Sequence, residues 1–210
     1  MKKLPILIIA IACIVFDAKS QSMDHRENPQ FGLKIGSNYS NVYDSQGEEF
    51  EADGRFGLAT GVFITIPIGK FIGLQPEVLY SRKGFKGTGT IQGLSYDVTR
   101  TTNYIDIPLM FSVKPSPAIS LVAGPQYSFL LKQKDEFTNV GGSVVQEQEF
   151  ENDNIRKNTM GFIGGVDFNL NDFVIGTRVG WDMINNHGDG TSSTPRYKNV
   201  WYQLTFGFRL

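Results

Sequence analysis

The chain has one cysteine, two histidines and two tryptophans, and its formal net charge is only -1 over 210 residues. A single thiol cannot close a disulfide within the chain, and Cys13 lies inside the N-terminal apolar run, so the exported fold is expected to use none. Balanced charge offers nothing for a polyanion to hold, which argues against nucleic acid as a partner. His25 and His187 are too few for a metal centre, and the acidic stretches lack the Asp-x-Asp-x-Asp-Gly spacing of a calcium loop. No metal or other cofactor is therefore expected. Nor does any segment show a convincing 3.6-residue apolar period, so a helical bundle is excluded as well.

The N-terminus reads as an export signal. Lys2 and Lys3 precede an apolar run from Leu4 to Phe16, and Ala18-Lys19-Ser20 supplies small residues two apart, so residues 1–20 are expected to be removed with Gln21 as the mature start. The run is too short to span a bilayer as a helix. Ala10 stands where a lipobox usually has Leu, and Ile14-Val15-Phe16 continues the apolar run past Cys13, which argues against lipidation. Residues 21–30 are expected to form a polar, flexible lead-in.

What the chain does have is alternation. From Val200 every second residue is large and apolar (Val200, Tyr202, Leu204, Phe206, Phe208, Leu210), interleaved after Trp201 with Gln203, Thr205, Gly207 and Arg209. This describes a strand with one greasy and one polar face that stays greasy to the last residue, as in a membrane-embedded barrel. The same period runs through residues 31–39, 56–66, 72–81, 104–113, 119–129, 161–168 and 173–182. Tight turns are expected at 67–70, 115–117 and 169–172, and long polar connections at 41–54, 82–100, 132–158 and 185–196. Eight strands with long connections on one side and short ones on the other make an all-β, eight-stranded antiparallel up-and-down transmembrane β-barrel over residues 31–210 the economical fold, since closure leaves no unpaired edge.

Alternation alone does not say which face points outward, because a soluble barrel alternates too. An eight-stranded barrel is just wide enough for side chains to fill it. The set crowded with Phe, Ile, Leu, Tyr and Trp therefore fits outside, and the set rich in Gly, Ser, Thr and Gln fits within. Reversing the faces would put Lys34, Arg178 and Arg209 in lipid at about 2 to 4 kcal/mol each near the midplane, with Glu77, Asp106, Asp167 and Asp182 adding somewhat less. That rivals a domain's whole stability of about 5 to 15 kcal/mol. Tyr39, Tyr80, Tyr104, Tyr127, Trp181, Tyr197, Trp201 and Tyr202 fall near the long-loop end, where a polar interface is expected to hold them. Phe31, Phe71, Phe111, Phe168, Phe173 and Phe208 fall near the short-turn end.

Five segments carry a family resemblance: Phe31-Gly32-Leu33-Lys34-Ile35-Gly36, Leu74-Gln75-Pro76-Glu77-Val78-Leu79-Tyr80-Ser81, Tyr104-Ile105-Asp106-Ile107-Pro108-Leu109, Ala123-Gly124-Pro125 and Gln203-Leu204-Thr205-Phe206-Gly207-Phe208. In that order the chain resembles the PorT-type outer-membrane β-barrel family over essentially its whole exported length. The resemblance implies an outer-membrane location and insertion by the barrel-assembly machinery through the last strand, here Tyr202, Leu204, Phe206, Phe208 and Leu210. Some members serve protein secretion or gliding, and many have no assigned role. The terminal Leu210 stands where Phe is more usual.

For the interior, Lys34, Glu77, Asp106, Asp167, Arg178, Asp182 and Arg209 are expected to form an ion-pair and hydrogen-bond network that plugs the barrel, because a buried charge is tolerable only when paired. A narrow channel for small solutes or ions is the alternative. A lipid-modifying enzyme would have only His187 beside Asp189, Ser192 and Ser193 to work with, and no catalytic residues are assigned. Outside, Arg82, Lys83 and Lys86 either meet lipopolysaccharide phosphates or simply keep their loop soluble. The acidic first loop (Asp44, Glu48, Glu49, Glu51, Asp53) and third loop (Asp135, Glu136, Glu147, Glu149, Glu151, Asp153) read as solvated. Alternation through Gly141-Gly142-Ser143-Val144-Val145 suggests a hairpin that offers a strand edge to a protein partner. A structural or interaction protein of the cell envelope, with secretion as one role, is the functional expectation.

Overall fold

A computed structural model describes residues 25–43, 52–91, 94–139, 142–148, 156–186 and 197–210. After a short 3-10 turn at His25–Glu27, the strands among these residues are β1 (Gln30–Tyr43), β2 (Ala52–Pro67), β3 (Ile72–Ile91), β4 (Leu94–Ser116), β5 (Ile119–Asn139), β6 (Gly142–Gln148), β7 (Asn158–Leu170), β8 (Phe173–Asp182) and β9 (Lys198–Arg209). All but β6 form one closed antiparallel ring, in which each strand pairs with its neighbours in the order β1, β2, β3, β4, β5, β7, β8, β9. The ring shuts where β9 returns to β1, from Gly32 opposite Arg209 to Tyr43 opposite Lys198. The Leu210 amide donates to the Phe31 carbonyl at 2.9 Å, which places both ends of the ring at the short-turn rim.

The faces sort as the size argument requires. Ile35, Leu109, Phe111, Phe173, Tyr202 and Phe206 are among the large apolar residues left exposed, while Lys34, Glu77, Asp106, Asp167, Arg178 and Asp182 are all buried. A water-soluble domain rarely exposes so continuous an apolar surface. A bilayer accepts it, because closure of the ring gives every strand a hydrogen-bonded neighbour on both sides. Val78 on β3 and Ile107 on β4 show the pattern locally: both lie outward, whereas Leu79 and Asp106, opposite each other in the ladder, lie inward.

Three expectations need correction. Residues 82–100 do not form an irregular loop: apart from 92–93, outside the described residues, they are ladder, with Arg82 opposite Asn103 and Ile91 opposite Leu94. Likewise β5 runs on to Asn139 and β6 folds back against it, Gln133 opposite Gln148, within the expected third loop. Strands rising above lipid have no need of an apolar outer face, so the hydrophobic alternation stops while backbone pairing continues. Second, Tyr104, Tyr197 and Trp201 are not on the outer interface but inside, at 7%, 5% and 0% exposure. Tyr104 shares the face of Asp106, and Trp201 that of Gln203, so strand parity overrides the preference of aromatics for the interface. Third, the inner set is not uniformly small, since Phe63, Leu79, Met110 and Ile163 are buried within the ring.

The lead-in is partly ordered beneath the barrel. Buried Lys114 donates to the Arg26 carbonyl at 3.3 Å, and the Arg26 guanidinium lies 5.5 Å from the Phe71 ring centroid.

Candidate functional site

The interior is layered. Nearest the short turns, Lys34 of β1 meets Glu77 of β3 at 2.6 Å, and Arg178 of β8 meets Asp167 of β7 at 2.6 Å. Gln75 of β3 joins the two pairs, its amide placed 2.9 Å from Glu77 Oε1 and 3.0 Å from Asp167 Oδ2. Arg178 Nη2 also stands 3.8 Å from Glu77 Oε1. Two cations therefore face two carboxylates in one buried level, an arrangement that offsets the several kcal/mol each isolated ion would cost. Glycine makes the room: a Cβ at Gly176 would come within 2.7 Å of Thr205 Oγ1 and 2.8 Å of Asp167 Oδ1.

Above this level, Gln203 of β9 donates to Asn38 Oδ1 of β1 at 2.9 Å, and Asn38 donates to Ser81 Oγ of β3 at 2.8 Å. Lys83 then crosses to Asp106 at 2.9 Å, its ammonium 3.6 Å from the Trp201 ring centroid and 5.1 Å from that of Tyr104. Trp201 lies flat over Gly180, where any Cβ would strike the indole ring. The Asn199 side chain donates to Asp182 Oδ2.

Near the long-loop mouth, Arg100 of β4 grips Asp135 of β5 with two bonds of 2.7 Å and donates to the Tyr197 hydroxyl at 2.7 Å. Phe85 packs edge-on against Tyr197 with ring centroids 5.2 Å apart. Burial works against the Arg100 charge, yet Tyr197 and Asp135 hold its pKa above the ordinary guanidinium value. On the outer side of the same wall, the bond from Lys134 holds the Glu136 carboxyl below its ordinary range.

The sequence-predicted residues thus separate. Lys34, Glu77, Asp167 and Arg178 come together; Asp106 belongs to Lys83, and Asp182 to Asn199. Arg209 sits at the short-turn rim, donating to the Asn171 carbonyl at 3.0 Å and to the Asn169 side chain. Lys83, expected near lipopolysaccharide, is 2% exposed inside the barrel, because it shares the inward parity of Ser81 and Phe85. Sequence reasoning missed Lys83, Arg100 and Asp135 as interior groups, and put Gln75 on the inward face without giving it to the network. For Gln75 and Lys83 the signal was present, since both continue the parity of Glu77. His187, Asp189, Ser192 and Ser193 lie outside the described residues, as do residues 1–24 and most of the acidic first loop.

The outer wall above the lipid-facing band carries a second group. Arg82, Asn103 and Lys132 stand side by side on β3, β4 and β5, with Arg82 donating to Asn103 Oδ1 at 3.2 Å. Exposed Lys86 lies two pleats higher, and Arg55 of β2 reaches Thr101 Oγ1 at 2.8 Å.

A closed ring of eight antiparallel strands, greasy outside and ion-paired within, defines a transmembrane β-barrel of the outer membrane. Residues 19–187 match the family model described as outer membrane protein beta-barrel domain, and the chain belongs to that family. It is a protein of the cell outer membrane. No curated protein matches it. Among solved structures it is similar to Ail, the attachment invasion locus protein of Yersinia pestis, at 16% identity over 86% of this chain and 98% of that one, with a TM-score of 0.49. It is also similar to Neisserial surface protein A at 10% identity, covering 88% of this chain and 100% of that one with a TM-score of 0.48. OprG from Pseudomonas aeruginosa is 14% identical, with 89% and 97% covered and a TM-score of 0.42.

Proposed function

We propose that this barrel is a non-conducting structural or interaction protein of the cell envelope, and that its working surface is the wall formed by β3, β4, β5 and β6 above the membrane. The carrying observation is that wall. β3 continues for the ten residues Arg82–Ile91 beyond the aromatic band, about 30 Å of strand at the usual rise, and β4, β5 and β6 continue the sheet beside it. Above the level where β5 leaves β7, at Phe129 opposite Asn158, β6 takes the place of β7 and becomes the outer strand of the wall. An added strand from a protein partner would find main-chain groups there to pair with.

Resemblance to the PorT-type barrels favours an accessory of protein secretion, exported by the leader at residues 1–20 and inserted by the barrel-assembly machinery through the C-terminal strand. Arg82, Lys86, Lys132 and Arg55 flank the lipid band, where lipopolysaccharide phosphates would meet them, since guanidinium and ammonium groups bind phosphate well. The lipid-modifying alternative has only the His187 group, and nothing in the described site favours it.

A photo-crosslinking side chain placed at Val145 of β6 in intact cells tests the proposal. One protein adduct of fixed mass is expected, absent when the probe sits at Ile35 on the lipid face. Lipid adducts alone at both positions would reject a protein partner at this edge.

A further inference from the structure

One interior level holds several buried side-chain oxygens without a hydrogen-bond partner. Asp106 on β4 is opposite Ser128 on β5, and Ser128 is opposite Thr159 on β7. One pleat lower on β5, Gln126 is opposite Gly161 of β7, which is opposite Asp182 of β8. These side chains point inward, and each of Asp106, Gln126, Thr159 and Asp182 is at least nine-tenths buried. On each of them one oxygen has no hydrogen-bond partner: Asp106 Oδ1, Gln126 Oε1, Thr159 Oγ1 and Asp182 Oδ1. The Gln126 amide nitrogen is directed to Ser128 Oγ at 3.0 Å, which turns its carbonyl oxygen away from that bond. Gly161 leaves the space beside Asp182 open, for a Cβ there would stand 3.4 Å from Asp182 Oδ1.

Charge points the same way. Lys83 is spent on Asp106 at 2.9 Å, and Asp182 has the neutral Asn199 as its bonded side-chain partner. With Asp106 and Asp182 both ionised, two carboxylates face one ammonium at this level and leave one negative charge in excess, whereas the level below, with Lys34, Glu77, Asp167 and Arg178, is balanced. Unsatisfied buried oxygens and an unbalanced carboxylate are each costly, and one small cation would relieve both.

We propose that Asp106, Gln126, Thr159 and Asp182 form a binding site inside the barrel for a small monovalent metal cation. The donors are all hard oxygens, the kind that alkali and alkaline-earth ions take. The single excess charge selects a monovalent ion. The ion would enter past Arg100 and Tyr197 and be held against β5, β7 and β8 on the side away from Lys83.

Trp201 reports on the site, because its ring carries the Lys83 ammonium that also holds Asp106. In full-length protein bearing Trp181→Phe, folded in detergent, Trp201 is the one remaining tryptophan. Titration with potassium or sodium chloride against choline chloride at constant ionic strength is expected to give a saturable change in its emission with the metal salts alone. Asp182→Asn and Gln126→Leu should abolish that change while the barrel stays folded, judged by its faster migration in unboiled gels. Diffraction from crystals soaked in a thallous salt should place one anomalous peak among the four oxygens. Identical potassium and choline titrations, with water and no thallium at this level, would overturn the proposal. So would a protonated-carboxyl infrared band in potassium buffer that vanishes in Asp182→Asn, since a shared proton would then balance the charge. If Asp182→Asn fails to fold, Gln126→Leu and the thallium map still decide.

Discussion

At the scale of single residues, parity decides function. Lys34 and Ile35 are chain neighbours, yet one is buried against Glu77 at 2.6 Å and the other is 58% exposed to lipid. Alternation made that split readable without coordinates. It also implied that Glu77, Asp167 and Arg178 face inward, but not which would touch, because partner choice depends on how far each strand is shifted against the next. Glu77 sits at the junction, with Lys34, Gln75 and Arg178 all directed at Oε1. Glu77→Ala is expected to destabilise the barrel by about 3 to 5 kcal/mol, the usual result of leaving a buried cation without its partner. Urea unfolding in lipid vesicles measures it. The double variant Lys34→Met with Glu77→Leu should recover most of the loss, because it removes both charges together.

At the scale of elements, the membrane-spanning parts of the strands were legible and their continuations were not. Lipid imposes an apolar outer face on residues such as Val78 and Ile107, and that periodicity ends at Tyr80 although β3 runs to Ile91. Water accepts Arg82 and Lys86 on the same face, so the composition there reads as loop. Only β6 left a trace, in the short alternation near Val144 and Val145. Because β6, among the described residues, pairs with β5 alone, the hairpin should be separable from the barrel. Val145→Pro, which removes the amide at the position opposite Glu136, is expected to make the extracellular wall cleavable by protease added to intact cells. The urea midpoint of the barrel should shift little, since β6 makes none of the ring's pairings.

At the scale of the whole molecule, eight strands leave a bore that side chains can close. Ion pairs at Glu77 and Asp167, the Trp201 indole with Lys83, and the Arg100–Asp135–Tyr197 group cross it at successive levels. Purified protein in planar bilayers is therefore expected to show no large, stable single-channel currents. Steady openings at neutral pH would show that these levels move apart, and would favour the narrow-channel alternative. A slow, metal-selective leak would instead fit exchange at the Asp106–Asp182 level.

The amino-acid order by itself determined the barrel, its strand number and its outward face, because a bilayer demands a two-residue apolar period and a ring of eight admits few large side chains. It also marked Lys34, Glu77, Asp106, Asp167, Arg178 and Asp182 for the interior, but not Lys83, Arg100 or Asp135. Tertiary structure alone decided that Lys83 serves Asp106, that Tyr104, Tyr197 and Trp201 turn inward, and that the wall above the membrane is strand. Those outcomes depend on the stagger between neighbouring strands, a relation between distant segments that no local pattern encodes.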